Sequence, residues 1–301
     1  MSAPIDALPA LTSLGKLLDM SPNAFGLMRR SGDIFFDTDA LRARFQEDGY
    51  LYLPGCLHRD QVLEARRSML SRIDIQSLDP RFPCMDGVVK QGVDLGFREN
   101  LTRDNSALHR VLYGGPMMEF FARFLGGTVR HFDYTWVRCL APGWGTPPHY
   151  DIVYMGRGTR KLYTAWVPMG DIDFELGGLM VLEGSHRNHR LLNGYAQRDV
   201  DEYCINKPER GIEVQNYGWL AQDPPRVRRG LGGRWLSHEF GAGDVVVFST
   251  VLVHGGLDNR SRRIRLSTDS RYQLASEPVD HRWVGPDPPG HGPRGKRGKI
   301  C

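Results

Sequence analysis

The chain has 301 residues, 41% hydrophobic and 25% charged, the balance of a globular protein able to bury a sizeable core. Its formal charge of +4 is matched by four basic residues near the C-terminus, Arg294, Lys296, Arg297 and Lys299. The rest is close to neutral and shows no basic stripe, which argues against nucleic acid or a membrane surface as partner. No stretch approaches the roughly 18 apolar residues of a membrane span. An early Asp6 without a basic leader makes a poor signal peptide. Cys56, Cys84, Cys139, Cys204 and Cys301 form no CxxC pair, which argues against a disulfide framework or zinc knuckle and fits a reducing, cytoplasmic setting.

Residues 1–37 carry scattered leucines (Leu8, Leu11, Leu14, Leu17, Leu18) and predict a short helix packed on the main body. Thr38 or Asp39 then caps a helix with Leu41 and Phe45 four apart, ended by Asp48-Gly49. Tyr50-Leu51-Tyr52-Leu53 predicts a strand closed by Pro54-Gly55. A second helix starts near Arg59, and a third runs from Pro116 to Gly126-Gly127 with Met117, Phe120, Phe121 and Phe124 on one face. From residue 128 the texture becomes short strands broken by Gly and Pro: 128–132, 134–140, 149–155, 162–168, 179–182, 235–240, 245–249 and 264–272. Such spacing predicts a barrel or double-sheet roll and not βαβ units. The polar 187–233 insertion exceeds an ordinary connection and suggests a lid or substrate-binding element. The basic, Pro/Gly-rich 278–301 tail is expected to be mobile, leaving 38–277 as one domain.

Pro147-Pro148-His149-Tyr150-Asp151 is the chemically distinctive feature. On a strand, side chains two apart share a face, so His149 and Asp151 would line one wall. Far downstream, His254 ends the apolar run Val251-Leu252-Val253. Two histidines and a carboxylate on one face of a metal leave positions open, as in non-haem iron(II) oxygenases. Eleven residues past His254, Arg265 offers a planar fork for a dicarboxylate; Arg263, on the same face, competes with it.

These residues resemble the phytanoyl-CoA dioxygenase family over residues 40 to 275. Phe45 to Gly55 looks like the family's opening helix and strand. His149 to Asp151, Trp166, Gly177-Gly178-Leu179, Gly184-Ser185-His186 and Gly243-Asp244 with Phe248 follow in the family's order, ending on His254, Asn259-Arg260-Ser261 and Arg265. The resemblance implies a mainly β fold with flanking helices, a double-stranded β-helix or jelly-roll core of cupin type. It implies an enzyme that uses Fe(II), 2-oxoglutarate and O2, coupling decarboxylation to succinate and CO2 with oxidation of a small-molecule substrate. His149, Asp151 and His254 match the metal ligands and Arg265 the 2-oxoglutarate anchor. Trp166 matches a tryptophan near that co-substrate, and Ser267 is a candidate second hydroxyl. The sequence departs at Gly256, where some members place a serine for 2-oxoglutarate, so another group has to take its part. Asp151 favours hydroxylation over halogenation, since related halogenases lack this carboxylate.

Arg157, Arg160 and Lys161, and Arg187 with Arg190, are either solvated loops or contacts for an anionic substrate. Trp144, Tyr150 and Tyr154 are candidates for an aromatic mouth, His186 reads as a structural turn residue, and His189 and His238 read as surface residues. Two other readings account for parts of the chain: a non-catalytic jelly-roll module binding a metal or ligand, and an interaction protein using its insertion and tail.

Overall fold

A computed structural model describes residues 9–93, 95, 99–207 and 218–300. Its strands are β1 (Thr12–Ser13), β2 (Lys16–Leu17), β3 (Phe25–Leu27), β4 (Tyr50–Leu53), β5 (Val129–His131), β6 (Trp136–Leu140) and β7 (Tyr163–Pro168) in the first part of the chain. They continue with β8 (Leu179–Leu182), β9 (Glu202–Cys204), β10 (Trp235–Ser237), β11 (Val245–Ser249), β12 (His254–Gly256), β13 (Arg265–Leu274) and β14 (Arg297–Lys299). The helices used below are α1 (Thr38–Asp48), α2 (Arg59–Leu70), α3 (Ser106–Leu112), α4 (Gly115–Leu125) and α5 (Ile152–Met155).

Two sheets face each other. The larger runs β4-β11-β7-β13-β5 with β6 also on β13, and the smaller runs β12-β8-β10-β3. This is the double-stranded β-helix architecture, without a closed barrel. Period-two alternation sorts its faces. On β11, Val245 and Val247 turn outward to the helices, while Val246 and Phe248 turn inward to meet Leu179, Val181 and Leu236 of the smaller sheet. Both faces are covered, so the strand reads as an unbroken apolar run. Val62, Ala65, Met69 and Leu70 of α2 and the phenylalanines of α4 complete the outer layer. Asp37, one residue before the predicted cap, starts α1 by accepting from the Ala40 N–H at 3.0 Å. Gly49 ends it at φ +77, with the His186 ring 2.5 Å from where a Cβ would stand, so His186 is indeed a turn-packing residue.

Four expectations are corrected. Residues 149–155 are not a strand: His149 makes a single bridge to His254, and the chain then turns into α5. Pro147-Pro148 before it and the short apolar Ile-Val-Tyr-Met after it permit that turn. The N-terminal segment contributes strands in place of a helix, with β3 pairing in parallel with β10 at the edge of the smaller sheet. Cys204 is disulfide-bonded, whereas Cys56, Cys84 and Cys139 are free. Finally, residues 278–300 are packed, with Asp280, Arg282 and Trp283 buried and β14 paired in parallel with β9 of the insertion. Composition misleads here because only Trp283, with Val279 and Val284 beside it, carries the apolar packing of this Pro/Gly-rich tail. Residues 208–217 of the insertion lie outside the described residues.

The tail is fastened by charge. Asp201 is 1% exposed and accepts from Arg282 Nη1 at 2.6 Å, His291 Nδ1 at 2.8 Å and Lys296 Nζ at 3.1 Å. Burial acts to raise its pKa, but His291, Lys296 and Arg282 outweigh it and bring the group from 3.8 to about 2. A depressed carboxyl stabilises the fold fully above its unfolded pKa and loses that contribution as pH falls through the folded value. Asp201→Asn is therefore expected to cost about 3 kcal/mol near neutral pH. The deficit should shrink as pH falls from about 4 towards 2, read by urea unfolding across that range; a loose tail would give no deficit at any pH.

Candidate metal centre

The site is built on one reciprocal backbone bridge. His149 N–H donates to His254 O at 2.9 Å and His254 N–H to His149 O at 3.1 Å, which sets the imidazoles side by side with centroids 4.2 Å apart. Two residues on, Asp151 takes helical backbone angles (φ −66, ψ −31) at the start of α5. The turn, and not strand alternation, brings its carboxylate to the histidines: Oδ1 lies 3.6 Å from His149 Nε2 and 3.7 Å from His254 Nε2. A divalent ion about 2.1 Å from each donor places neighbouring donors roughly 3 to 4 Å apart, so these spacings fit one ion.

The remaining atoms of the three side chains are already committed. His149 Nδ1 donates to Pro147 O at 2.8 Å and His254 Nδ1 to Leu252 O at 3.0 Å, which leaves each Nε2 lone pair pointing inward. Asp151 Oδ2 accepts from Thr164 Oγ1 at 2.6 Å and pairs with Arg271 Nη2 at 2.9 Å, leaving Oδ1 for a cation. Burial and the adjacent His149 bring the His254 pKa down to about 3, with Asp151 opposing, so the ring is neutral and able to ligate. Burial alone would raise the Asp151 carboxyl, yet the Arg271 guanidinium beside it holds it well below its ordinary range. All three residues are at most 5% exposed and form a ready metal-ligand group. The donor set, two neutral imidazoles and one carboxylate with open positions, is the one suited to iron(II).

Arg265 and Trp166 line a small cavity together with His149 and His254. Arg265 is 2% exposed; its Nη1 donates to Gly177 O at 2.9 Å and its Nε has no hydrogen-bond partner. Arg263, by contrast, is half-buried and paired at the surface with Asp173 at 2.8 Å. Ser267 shares the inward face of β13 and its Oγ is buried without a partner, but it is not among the residues lining the cavity. Trp144 is exposed, and Tyr150 is buried with its hydroxyl donating to Ser185 O. Only Tyr154 of those three aromatics approaches the ligands, 5.7 Å from the His149 ring. The basic loop is committed internally: Arg157 to Asp199, Arg160 to Gln197, Lys161 to Glu277.

Sequence reasoning missed Arg271, Thr164, Thr146, Arg138 and Asp269. β13 alternation offered a signal for two of them, since Arg265, Ser267, Asp269 and Arg271 fall on one face. Thr146 has no such signal; it lines the cavity, and its Oγ1 is 3.3 Å from where a side chain at Gly256 would begin, with Arg265 Nη1 at 3.2 Å from the same point.

The profile of the family described as Phytanoyl-CoA dioxygenase (PhyH) matches residues 45–267, a span that includes His149, Asp151, His254 and Arg265 and stops short of Asp269 and Arg271. The chain belongs to the phytanoyl-CoA dioxygenase family. It is an iron(II)- and 2-oxoglutarate-dependent dioxygenase. A 1-deoxypentalenic acid 11-beta-hydroxylase from Streptomyces exfoliatus is 26% identical over 257 residues, covering 80% of this chain and 82% of its own. Two solved structures share the fold. One is the epimerase SnoN in complex with Fe3+, alpha ketoglutarate and nogalamycin RO (TM-score 0.53, 19% identity, 82% of this chain and 86% of that one). The other is EctD from S. alaskensis with 2-oxoglutarate and 5-hydroxyectoine (TM-score 0.54, 18% identity, 86% and 84%).

In this dioxygenase Arg271 orients and charges the carboxylate without reaching the inner cavity. Arg271→Gln is expected to weaken iron(II) binding by about 10- to 100-fold, the usual effect of losing a residue that holds a ligand in place. Anaerobic calorimetric titration with iron(II) would check it. Unchanged affinity would mean that Thr164 alone suffices.

Proposed function

We propose that His149, Asp151 and His254 hold iron(II), that Arg265 and the Thr146 hydroxyl take the distal carboxylate of 2-oxoglutarate, and that the enzyme hydroxylates a small organic molecule. The observation that carries the reading is the meeting, in one buried cavity, of the inward Nε2 atoms with a buried guanidinium short of partners. When bound, iron(II) with 2-oxoglutarate and O2 supplies an oxidation coupled to formation of succinate and CO2. Everything else is done by the chain. Asp151 occupies a coordination position that a halogenase would give to chloride, which favours hydroxylation. Burial, with Arg138 nearby and Asp269 opposing, lowers the Arg265 pKa to about 10, so it stays cationic at neutral pH; Asp269 is shared with Arg138, which leaves the two cations able to take the charge of a dicarboxylate. Thr146 Oγ1 sits where the serine absent at Gly256 would reach, and so supplies that hydroxyl from a neighbouring segment. Trp166 covers the cavity with its indole, packed on Phe240 at 4.7 Å, and Ser267 stands by as a further hydroxyl on the Arg265 face. The similarity to a hydroxylase named for a small organic acid supports a substrate of that size.

Anaerobic addition of iron(II) and 2-oxoglutarate is expected to produce a visible metal-to-ligand charge-transfer band that Asp151→Ala abolishes. Succinate should form on admission of air. Thr146→Val is expected to retain the band at saturation but to require on the order of tenfold more 2-oxoglutarate, as for loss of one charge-assisted hydrogen bond. No band and no succinate from the unaltered protein would refute the function, whereas an unshifted midpoint in Thr146→Val would refute only the hydroxyl's part.

A further inference from the structure

The cavity lined by His149, His254 and Arg265 has about 260 Å³ of free space, its open side included. Sites that enclose a drug-sized ligand usually have roughly 300–1,000 Å³. There is room for a five-carbon co-substrate, and the molecule to be oxidised has to stand at the opening. Of the residues lining the cavity, all are buried except Arg138 and Thr146, which therefore mark that opening. Thr146 is taken up by the co-substrate. Arg138 is left as the side chain that lines the cavity and also meets solvent, 32% exposed.

Strand alternation puts it there. On β6, Val137 and Cys139 turn outward into the helical layer, so Trp136, Arg138 and Leu140 face inward, opposite Asp269, Ser267 and Arg265 of β13. Arg138 Nε donates to Asp269 Oδ2 at 3.1 Å, its one side-chain hydrogen bond among the described residues. Both Nη groups are left over. Their parallel N–H bonds match the two oxygens of a carboxylate.

Charge points the same way. Around the metal position stand three guanidiniums, Arg138, Arg265 and Arg271, against two carboxylates, Asp151 and Asp269. A divalent ion and a dianionic co-substrate cancel each other, so one positive charge stays unmatched in the loaded site. Arg271 is 1% exposed on the Asp151 carboxylate, and Arg265 is 2% exposed and spent on the co-substrate. Of the three, only Arg138 is within reach of a charge arriving from outside. The basic loops offer no rival: Arg157 and Lys161 are paired with Asp199 and Glu277, while Arg187 and Arg190 are exposed and do not line the cavity.

Resting on the reading of His149, Asp151 and His254 as metal ligands and Arg265 as co-substrate anchor, we infer that Arg138 determines specificity by gripping a carboxylate of the primary substrate. A single surplus charge suits a monocarboxylic acid better than a phosphate monoester, which carries up to about two negative charges near neutral pH. Held at the opening by its charged end, the molecule turns carbons and not oxygens towards the cavity.

The test does not require the natural substrate. Protein loaded anaerobically with iron(II) and saturating 2-oxoglutarate is titrated by calorimetry with benzoate and cyclohexanecarboxylate. Benzamide and cyclohexanecarboxamide follow, which keep the shape and lack the charge. The unaltered protein should bind the acids on the order of tenfold more tightly than the amides, as for one charge-assisted pair. Arg138→Gln should erase the preference and Arg138→Lys restore part of it, a rescue that a purely structural role would not give. The 2-oxoglutarate midpoint of the charge-transfer band should stay within about twofold in both variants, which also reports that the site is folded. Equal affinity for acids and amides in the unaltered protein, no binding of either, or a preference that survives Arg138→Gln overturns the inference. So does bleaching of the band by the acids, which would place them at Arg265, or a midpoint moved about tenfold in Arg138→Gln, which would make Arg138 a co-substrate residue. A protein without any band refutes the metal reading instead, and the band is recorded before an acid is added.

Discussion

The carboxylate of Asp151 divides its work between its two oxygens, and the rest of the centre is arranged around that division. A buried carboxylate is costly unless every lone pair is engaged. Here Thr164 and Arg271 occupy Oδ2 completely enough that the group stays ionised, and Oδ1 is left between two imidazole nitrogens. The same arrangement recurs in each histidine, with Nδ1 given to a backbone carbonyl and Nε2 left over. What a metal would find is three oriented donors that need no reorganisation, each fixed by a partner on a different element.

One of those partners, Arg271, is supplied by β13. Its ten residues pair with β7 along one edge and with β6 and then β5 along the other, so it cannot shift register without breaking three ladders. Its inward face carries Arg265 at one end, in the cavity with His149 and His254, and Arg271 towards the other, on the Asp151 carboxylate. Its outward Leu266 and Tyr272 are locked in the helical layer. The large apolar core therefore serves the site directly: it holds a ruler on which the two cations are marked.

Much of this was legible in the sequence, for reasons that differ from residue to residue. β4, β8 and β11 are buried on both faces, and uninterrupted apolar runs between turn residues expose their limits. His149, Asp151 and His254 are visible as residue types at recognisable spacing. Their geometry is not, because a bridge of one residue followed by a helical turn has no periodicity to read. Arg265 and Arg263 are alike in chemistry, and only burial separates them; Asp173, some ninety residues away, is what draws Arg263 to the surface. Arg271 looks like any polar strand residue until its partner is known. The tail misled for a similar reason. Its Pro, Gly and basic residues resemble a loose end, but their counter-charges, Asp199 and Asp201, lie in a distant insertion that itself reads as a loop.

This last misreading bears on how one fold serves different reactions. An epimerase and a protein solved with 5-hydroxyectoine share this architecture, so the two sheets alone do not decide the outcome. Discrimination has to come from the walls that place one substrate bond, and not another, beside the metal. In this chain the C-terminal segment after β13 lies beyond residues 45–267, the part that matches the family, and is held both by ion pairs and by Trp283, which packs with Phe132, Met155 and Leu162. It meets the rest of the molecule at several points besides the Trp136 ring: Asp133 N–H donates to Trp283 O at 2.9 Å, Thr159 N–H to Pro278 O at 2.8 Å and Gly285 N–H to Asp133 Oδ2 at 2.6 Å. His149, Asp151 and His254 are thus anchored beside the two sheets, whereas the C-terminal segment is a separate layer fastened by apolar burial and by charge together.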